Sequence, residues 1–170
     1  QSKMYAKGVI CTDCHLPHSL ALRAPGNALC AQCHAPEVFD VASHHHHPVS
    51  EDTPGCIDCH MPAKTYMVVD PRRDHSFRVP RPDLAESLEV TDACAACHDD
   101  REPGWSAAQV REWLGRDASG FQQYGQVFRA AHAGQADAAA GLKNLLETVQ
   151  LPPIARATAL EYLGAYVDPE

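Results

Sequence analysis

Aromatic side chains are scarce in this 170-residue chain: Phe, Trp and Tyr make up only 6% of it, while 13 prolines are scattered through it. An interior filled by large side chains is thereby excluded for the N-terminal half, where loop-forming residues are dense and periodic apolar patterns are short. Long apolar runs are lacking too. The longest stretch without Asp, Glu, Lys or Arg, residues 24–36, has thirteen residues, well short of the ~20 that a membrane-spanning helix needs. Positive charge is in deficit. A formal net charge of −8 repels phosphate backbones and argues against nucleic acid as a partner. The start of the chain has no basic region, apolar region and cleavage site of a secretory leader, so it reads as a processed product or a fragment.

Cysteine and histidine are what the chain has in abundance. Eight cysteines fall in four pairs, Cys11/Cys14, Cys30/Cys33, Cys56/Cys59 and Cys94/Cys97, and each pair is followed at once by a histidine: His15, His34, His60 and His98. The stretches read CTDCH, CAQCH, CIDCH and CAACH. C-x-x-C-H is the attachment sequence of c-type haem. Residues i and i+3 of one helical turn lie on the same side, so both thiols can form thioethers with the vinyl groups of one porphyrin. The next residue presents its imidazole to the iron. Two other readings compete. A zinc ribbon fits the fifteen residues between Cys14 and Cys30 but not the longer gaps that follow. An even cysteine count also permits a disulfide framework. Neither uses the histidines. With 11 histidines in 170 residues, one after every pair would arise by chance about 10⁻⁵ of the time. Four covalently attached haems, each with its iron, are therefore expected.

Each iron has a sixth position to fill. Outside the motifs stand His18, His44, His45, His46, His47, His75 and His132. His18 follows His15 too closely to reach round the same haem and is assigned to a neighbouring one. Successive helical residues point ~100° apart, so within ASHHHHPVS (42–50) His44 and His47 share a face and are taken as distal ligands, with His45 next. The remaining imidazoles face solvent or haem propionates, and capture of a divalent metal by the run is the alternative. His75, among arginines in RRDHSF, is the fourth distal candidate. His132 reads as a surface or packing residue of a helix. Met4, Met61 and Met67 are competing soft ligands that read as packing. Arg72, Arg73, Arg78 and Arg81 form the one basic concentration. They are expected to pair with propionates, a solvated loop being the alternative.

Beyond Trp105 prolines thin out and apolar residues recur at helical intervals over 105–114, 121–133, 136–149 and 154–166. Gly115, Gly120 and Gly134 punctuate these helices, and Pro152 and Pro153 open the last. Short connections between amphipathic helices predict antiparallel hairpins of the solenoid sort. So few helices leave an end uncovered, as in a trimmed or repeating assembly.

The stretches SKMYAKGVICTDCHLPHS, GNALCAQCH, CIDCHMP, YMVVDPRRDHSFRVPRPDL, CAACHDD and WSAAQVREWLG resemble the haem-binding core of multihaem c-type cytochromes that carry C-terminal helices of the TPR or HEAT kind. The resemblance is dense over residues 2–115 and one of style beyond. It implies that further haem motifs precede such a core, which would make Gln1 an internal position.

The expected fold is mainly α with much irregular structure: a tetrahaem-binding domain over 1–104, with a short helix at each attachment site, and a small helical repeat-like region over 105–170. Successive first cysteines are 19, 26 and 38 residues apart, which leaves little protein between the first three haems. The expected function is electron conduction along closely spaced, mostly bis-histidine irons of low potential, with no catalytic residue. Haem c and eight cysteines imply export to the periplasm or cell surface, with redox proteins or an extracellular acceptor as partners. Two alternatives stand beside it. One is a nitrite or hydroxylamine reductase with one open iron, and the other is a polymeric haem filament built by self-association.

Overall fold

A computed structural model describes residues 2–119 and 121–166, except for the side chains of Glu86 and Phe121. The chain divides into two compact units, Ser2–Pro80 and a second from Arg81 onward.

The first unit is made of short pieces. Its helices α1 (Lys3–Ala6), α2 (Cys11–Cys14), α3 (Pro36–Phe39), α4 (Ala42–His45) and α5 (Cys56–His60) are joined by irregular chain and a 3₁₀ stretch, Gly26–Gln32. Each start or stop has a local cause. The Ser2 hydroxyl accepts the Tyr5 N–H at 3.0 Å and opens α1, and Pro36 sits in the first turn of α3. His46 takes the left-handed conformation (φ 56°, ψ 26°) and ends α4. The shared helical face expected for His44 and His47 therefore does not form: His47 lies beyond the turn. A two-stranded antiparallel hairpin, β1 (Ala63–Tyr66) and β2 (Asp70–Arg73), pairs Ala63 with Arg73 and Tyr66 with Asp70. No apolar side chain between residues 2 and 80 is fully buried. That is the structural counterpart of the missing aromatics.

The second unit has an ordinary protein core. Its helices are α6 (Pro82–Leu88), α7 (Trp105–Leu114), α8 (Tyr124–His132), α9 (Ala138–Glu147) and α10 (Pro153–Leu163), with 3₁₀ turns at Cys94–Ala96, Phe121–Gln123 and Gly164–Tyr166. Helices α8, α9 and α10 pack on one another around Leu142, Leu145 and Ala159, with Val127, Phe128 and Tyr162 against them. Phe128 meets Tyr162 edge-on at 5.7 Å, and the Tyr166 hydroxyl donates to the Ala131 carbonyl at 3.1 Å. At Gly141 an added Cβ would stand 2.9 Å from Val127 Cγ1, which lets α9 approach α8 closely. Gly115 (φ 63°) caps α7 and Pro152–Pro153 open α10, as the sequence predicts. Gly120 lies outside the described residues. The expected domain boundary followed composition, at 104/105. The contact boundary falls at 80/81 and groups the CAACH stretch with the C-terminal helices.

Candidate metal centres

The four cysteine pairs are presented by two local constructions. In CTDCH and CIDCH the residue before the second cysteine is an aspartate, and both cysteines of each pair, Cys11 with Cys14 and Cys56 with Cys59, lie on one α-helical turn as expected. Asp13 accepts the Ile10 N–H at 2.7 Å, and Asp58 accepts the Gly55 N–H at 2.9 Å. A carboxylate three residues past the helix start satisfies an otherwise orphaned donor and complements the helix dipole.

CAQCH and CAACH depart from the expected helix at each attachment site. They lack that aspartate, and only Cys30 and Cys94 lie within the 3₁₀ turns; Cys33 and Cys97 stand one residue past the end of them. Each closes its turn by donating its N–H to the carbonyl of its partner cysteine, Cys33 to Cys30 and Cys97 to Cys94, both at 3.2 Å. In such a turn residues i and i+3 eclipse, so the two thiols still face one way. Asp92 steadies the CAACH turn by accepting the Cys94 N–H at 3.0 Å. None of the eight cysteines is in a disulfide, so the framework of disulfides weighed from the even count does not form. Cys11, Cys33 and Cys97 are exposed, while Cys14, Cys30, Cys56, Cys59 and Cys94 are half-buried.

The first three pairs meet. Asn27, at the start of the CAQCH turn, accepts the Cys56 N–H at 2.9 Å and donates to Asp40 at 2.9 Å. Cys30, His34, Phe39, Asp40 and Cys56 line one cleft between the second and third motifs. Burial, then Cys30 and Asp40, push the Cys56 thiol up to about 11. Burial, then Cys30, Asp13 and Cys33, raise that of Cys14. Cys14, Cys30, Cys33 and Cys56 thus share one neighbourhood.

Several imidazoles are aimed by backbone carbonyls. His15 Nδ1 lies 2.9 Å from the Leu20 carbonyl, and His60 Nδ1 lies 2.9 Å from that of Arg78. His75 and His47 repeat the arrangement on the carbonyls of Arg73 (2.9 Å) and His45 (2.6 Å). An Nδ1–H donated to a carbonyl leaves the Nε2 lone pair for a metal, the tautomer and orientation that ligating histidines use. His15 and His75 stand 6.3 Å apart between ring centroids, and His44 and His60 stand 6.2 Å apart. Burial and then the charge of His60 push the His44 pKa down. His34 is exposed and meets Phe39 edge-on at 5.6 Å; Phe39 in turn meets His44 at 5.4 Å. His98 lies 4.8 Å from Trp105, and His18 is exposed.

Among the described residues no three His, Cys, Asp or Glu side chains converge where a metal ion would be held. Neither the histidine run nor the thiols, among the described residues, bring three such ligands together. Paired thiols on one turn, each pair followed at once by a histidine, with a backbone carbonyl on Nδ1 of His15 and of His60, fit haem c instead, because the porphyrin brings its own nitrogen ligands. Three of the four arginines meet carboxylates of this chain. Arg72 pairs with Asp70 at 2.7 Å, Arg73 with Asp58 at 2.9 Å and Arg81 with Asp83 at 2.7 Å. The sequence reading missed Asp13, Asp58, Asn27 and Arg73 as positioning residues. The aspartates had a signal, a carboxylate three residues after a helix start; Asn27 and Arg73 act across distant segments and had none.

Residues 3–39 match a family described as a doubled CXXCH motif. No curated protein matches the chain. Among solved structures the chain is similar to the outer cell wall cytochrome OcwA, at 22% identity over 93% of this chain with a TM-score of 0.44. The chain spans 38% of that cytochrome's length. No helix among the described residues is long and apolar enough to cross a membrane. Residues 3–39, containing CTDCH and CAQCH, therefore match a doubled CXXCH segment, and covalently bound haem c is the cofactor that C-x-x-C-H motifs hold.

Proposed function

We propose that the chain is a tetrahaem electron carrier whose irons are mostly bis-histidine. One observation carries the reading: the Ser2–Pro80 unit fully buries no apolar side chain, yet it draws thiols of three C-x-x-C-H motifs into one neighbourhood. A folded unit needs buried apolar surface, and porphyrins held at these motifs would supply it. Bound haem contributes one-electron exchange between ferric and ferrous iron. The chain's own part is to fix each porphyrin through two thiols, aim Nε2 at the metal through Nδ1–carbonyl bonds, and keep the first three centres close. The exported location, the redox partners and any stacking of the C-terminal helices on further copies are parts of the same proposal. The test is the mass and spectrum of the native polypeptide. Four added haems and low-spin spectra at low potential are expected; fewer than four would overturn the count, and an unmodified mass the whole reading.

A second reading, reductase chemistry at one open iron, is favoured by one feature. From Arg81 onward the chain has no methionine and, besides His98, only His132. The CAACH iron thus has the fewest candidate distal ligands in its own unit. A high-spin signal in the oxidised protein that shifts on adding nitrite would support this reading, and its absence would leave the carrier.

A further inference from the structure

Resting on the haem reading above, we infer that His75 is the distal ligand of the iron held at CTDCH, and His44 that of the iron held at CIDCH. The argument begins with a distance. Metal–imidazole bonds are about 2 Å long, and the ring centroid lies about 1.1 Å behind Nε2, so two imidazoles sharing one iron have centroids about 6.2 Å apart. His15–His75 and His44–His60 stand at 6.3 and 6.2 Å, with ring planes 32° and 18° apart. Each pair joins one C-x-x-C-H histidine to one histidine outside the motifs. A third pair, His45–His47, is also 6.2 Å apart, but these residues are two apart in sequence, and the His47 N–H donates to His45 Nδ1. Their spacing is set by the chain. No such local constraint joins His15 to His75, or His44 to His60.

The delivery of each ring is built into the fold. His75 is held by its Nδ1 bond to the Arg73 carbonyl, and the Arg73 guanidinium is fastened to the third motif through Asp58, Ile57 and Met61. Residues 73–78 therefore form a strap anchored at the third centre that carries a ligand to the first. His44 is delivered by α4, whose last turn is stopped by the left-handed His46, with Phe39 edge-on against its ring. His44 and His75 are thus assigned to specific irons, and the first and third centres share a mechanical link.

The test uses the native haem-loaded protein and its His75→Gly and His44→Gly variants, read by mass and electron paramagnetic resonance. Each variant is expected to keep four haems, to turn one low-spin iron high-spin, and to return to low-spin when free imidazole is added. Assignment comes from a Cys11→Ala/Cys14→Ala background lacking the first haem. There, His75→Gly should produce no further high-spin iron, while His44→Gly still produces one. If His75→Gly or His44→Gly leaves every iron low-spin, or if the background does not suppress the His75 effect, the pairing is wrong while the haem count leaves the carrier reading intact. A native protein without attached haem would sink both. Should a variant not assemble, a diffraction structure of the native protein decides by the iron–Nε2 bonds themselves. The pairing stands if His75 and His44 ligate the named irons, and falls if other residues do.

Discussion

Asp58 accepts the Gly55 N–H and also faces Arg73 at 2.9 Å, whereas Asp13 accepts the Ile10 N–H from an exposed position. Asp13→Ala therefore removes a capping bond, worth about 0.5–1 kcal/mol. Asp58→Ala removes a cap and a half-exposed ion pair and is expected to cost about 1–2 kcal/mol. Denaturant unfolding of the haem-loaded variants measures both, and equal costs would show that the Arg73 link contributes nothing to stability. Legibility at this scale follows sequence distance. The proximal imidazoles were readable because each sits one residue from its cysteine. The capping role of the two aspartates follows from their offset within a turn once the helix start is known. The partner of His15 was not readable, because it lies 60 residues away and arrives through an arginine whose anchor is a third segment.

Elements were legible where apolar periodicity is sustained and obscure where the pieces last a single turn. Helices α7, α8, α9 and α10 lie within two residues of their expected starts, apart from a 3₁₀ turn ahead of α8. At Cys33 and Cys97 the expected helical turn is a 3₁₀ turn that has already ended; CAQCH and CAACH lack the aspartate before the second cysteine that in the other two motifs reaches back to the N–H ahead of the helix. In the histidine run nothing in four identical residues says which one turns left-handed, so the break at His46 had no signal. Leu142, fully buried among α8, α9 and α10, tests the periodic elements. Leu142→Ala should cost about 2–5 kcal/mol, and Leu160→Ala, at an exposed position, little. Because this core lies outside the first unit, thermal melts should shift strongly for Leu142→Ala while the room-temperature spectrum of the three haems held by the first unit stays unchanged.

The β1–β2 hairpin tests a strained element. Its tip turns through Met67 (φ 48°) and Val68 (φ 72°), both left-handed, and the Val69 N–H donates to the Tyr66 carbonyl at 3.2 Å. Positive φ at both central residues is the pattern of a type I′ turn, which prefers Asn-Gly. A β-branched residue there costs about 1–2 kcal/mol. Met67→Asn/Val68→Gly should therefore raise stability by about 1 kcal/mol, since glycine returns part of the gain as chain entropy. A melt in which the double variant is no more stable would mean that the tip is not in this conformation.

At the scale of the whole molecule, composition changes character near Trp105, but contacts divide the chain at Pro80. The two differ because composition records how much apolar side chain a segment owns, while contacts record where buried surface is shared: α6 buries Leu84 and packs with α7 and α8. Charge has no such ambiguity. The formal net charge is −8, and Arg72, Arg73 and Arg81 are matched by Asp70, Asp58 and Asp83, so the basic stretch of the sequence is largely neutralised within the protein. Long-range steering should then favour positively charged redox partners and oppose negative ones. Raising ionic strength from about 0.01 to about 0.15 M shortens the screening length from about 30 to about 8 Å. Reduction of the oxidised haem protein by a small cationic donor such as hexaammineruthenium(II) should therefore be fastest at low salt and slow by about tenfold over that range. An anionic quinol sulfonate should show the opposite slope. Stopped-flow traces at several salt concentrations measure both; matching slopes for the two donors would mean that the field at the electron entry point is set by a local patch of opposite sign rather than by the molecule's overall charge.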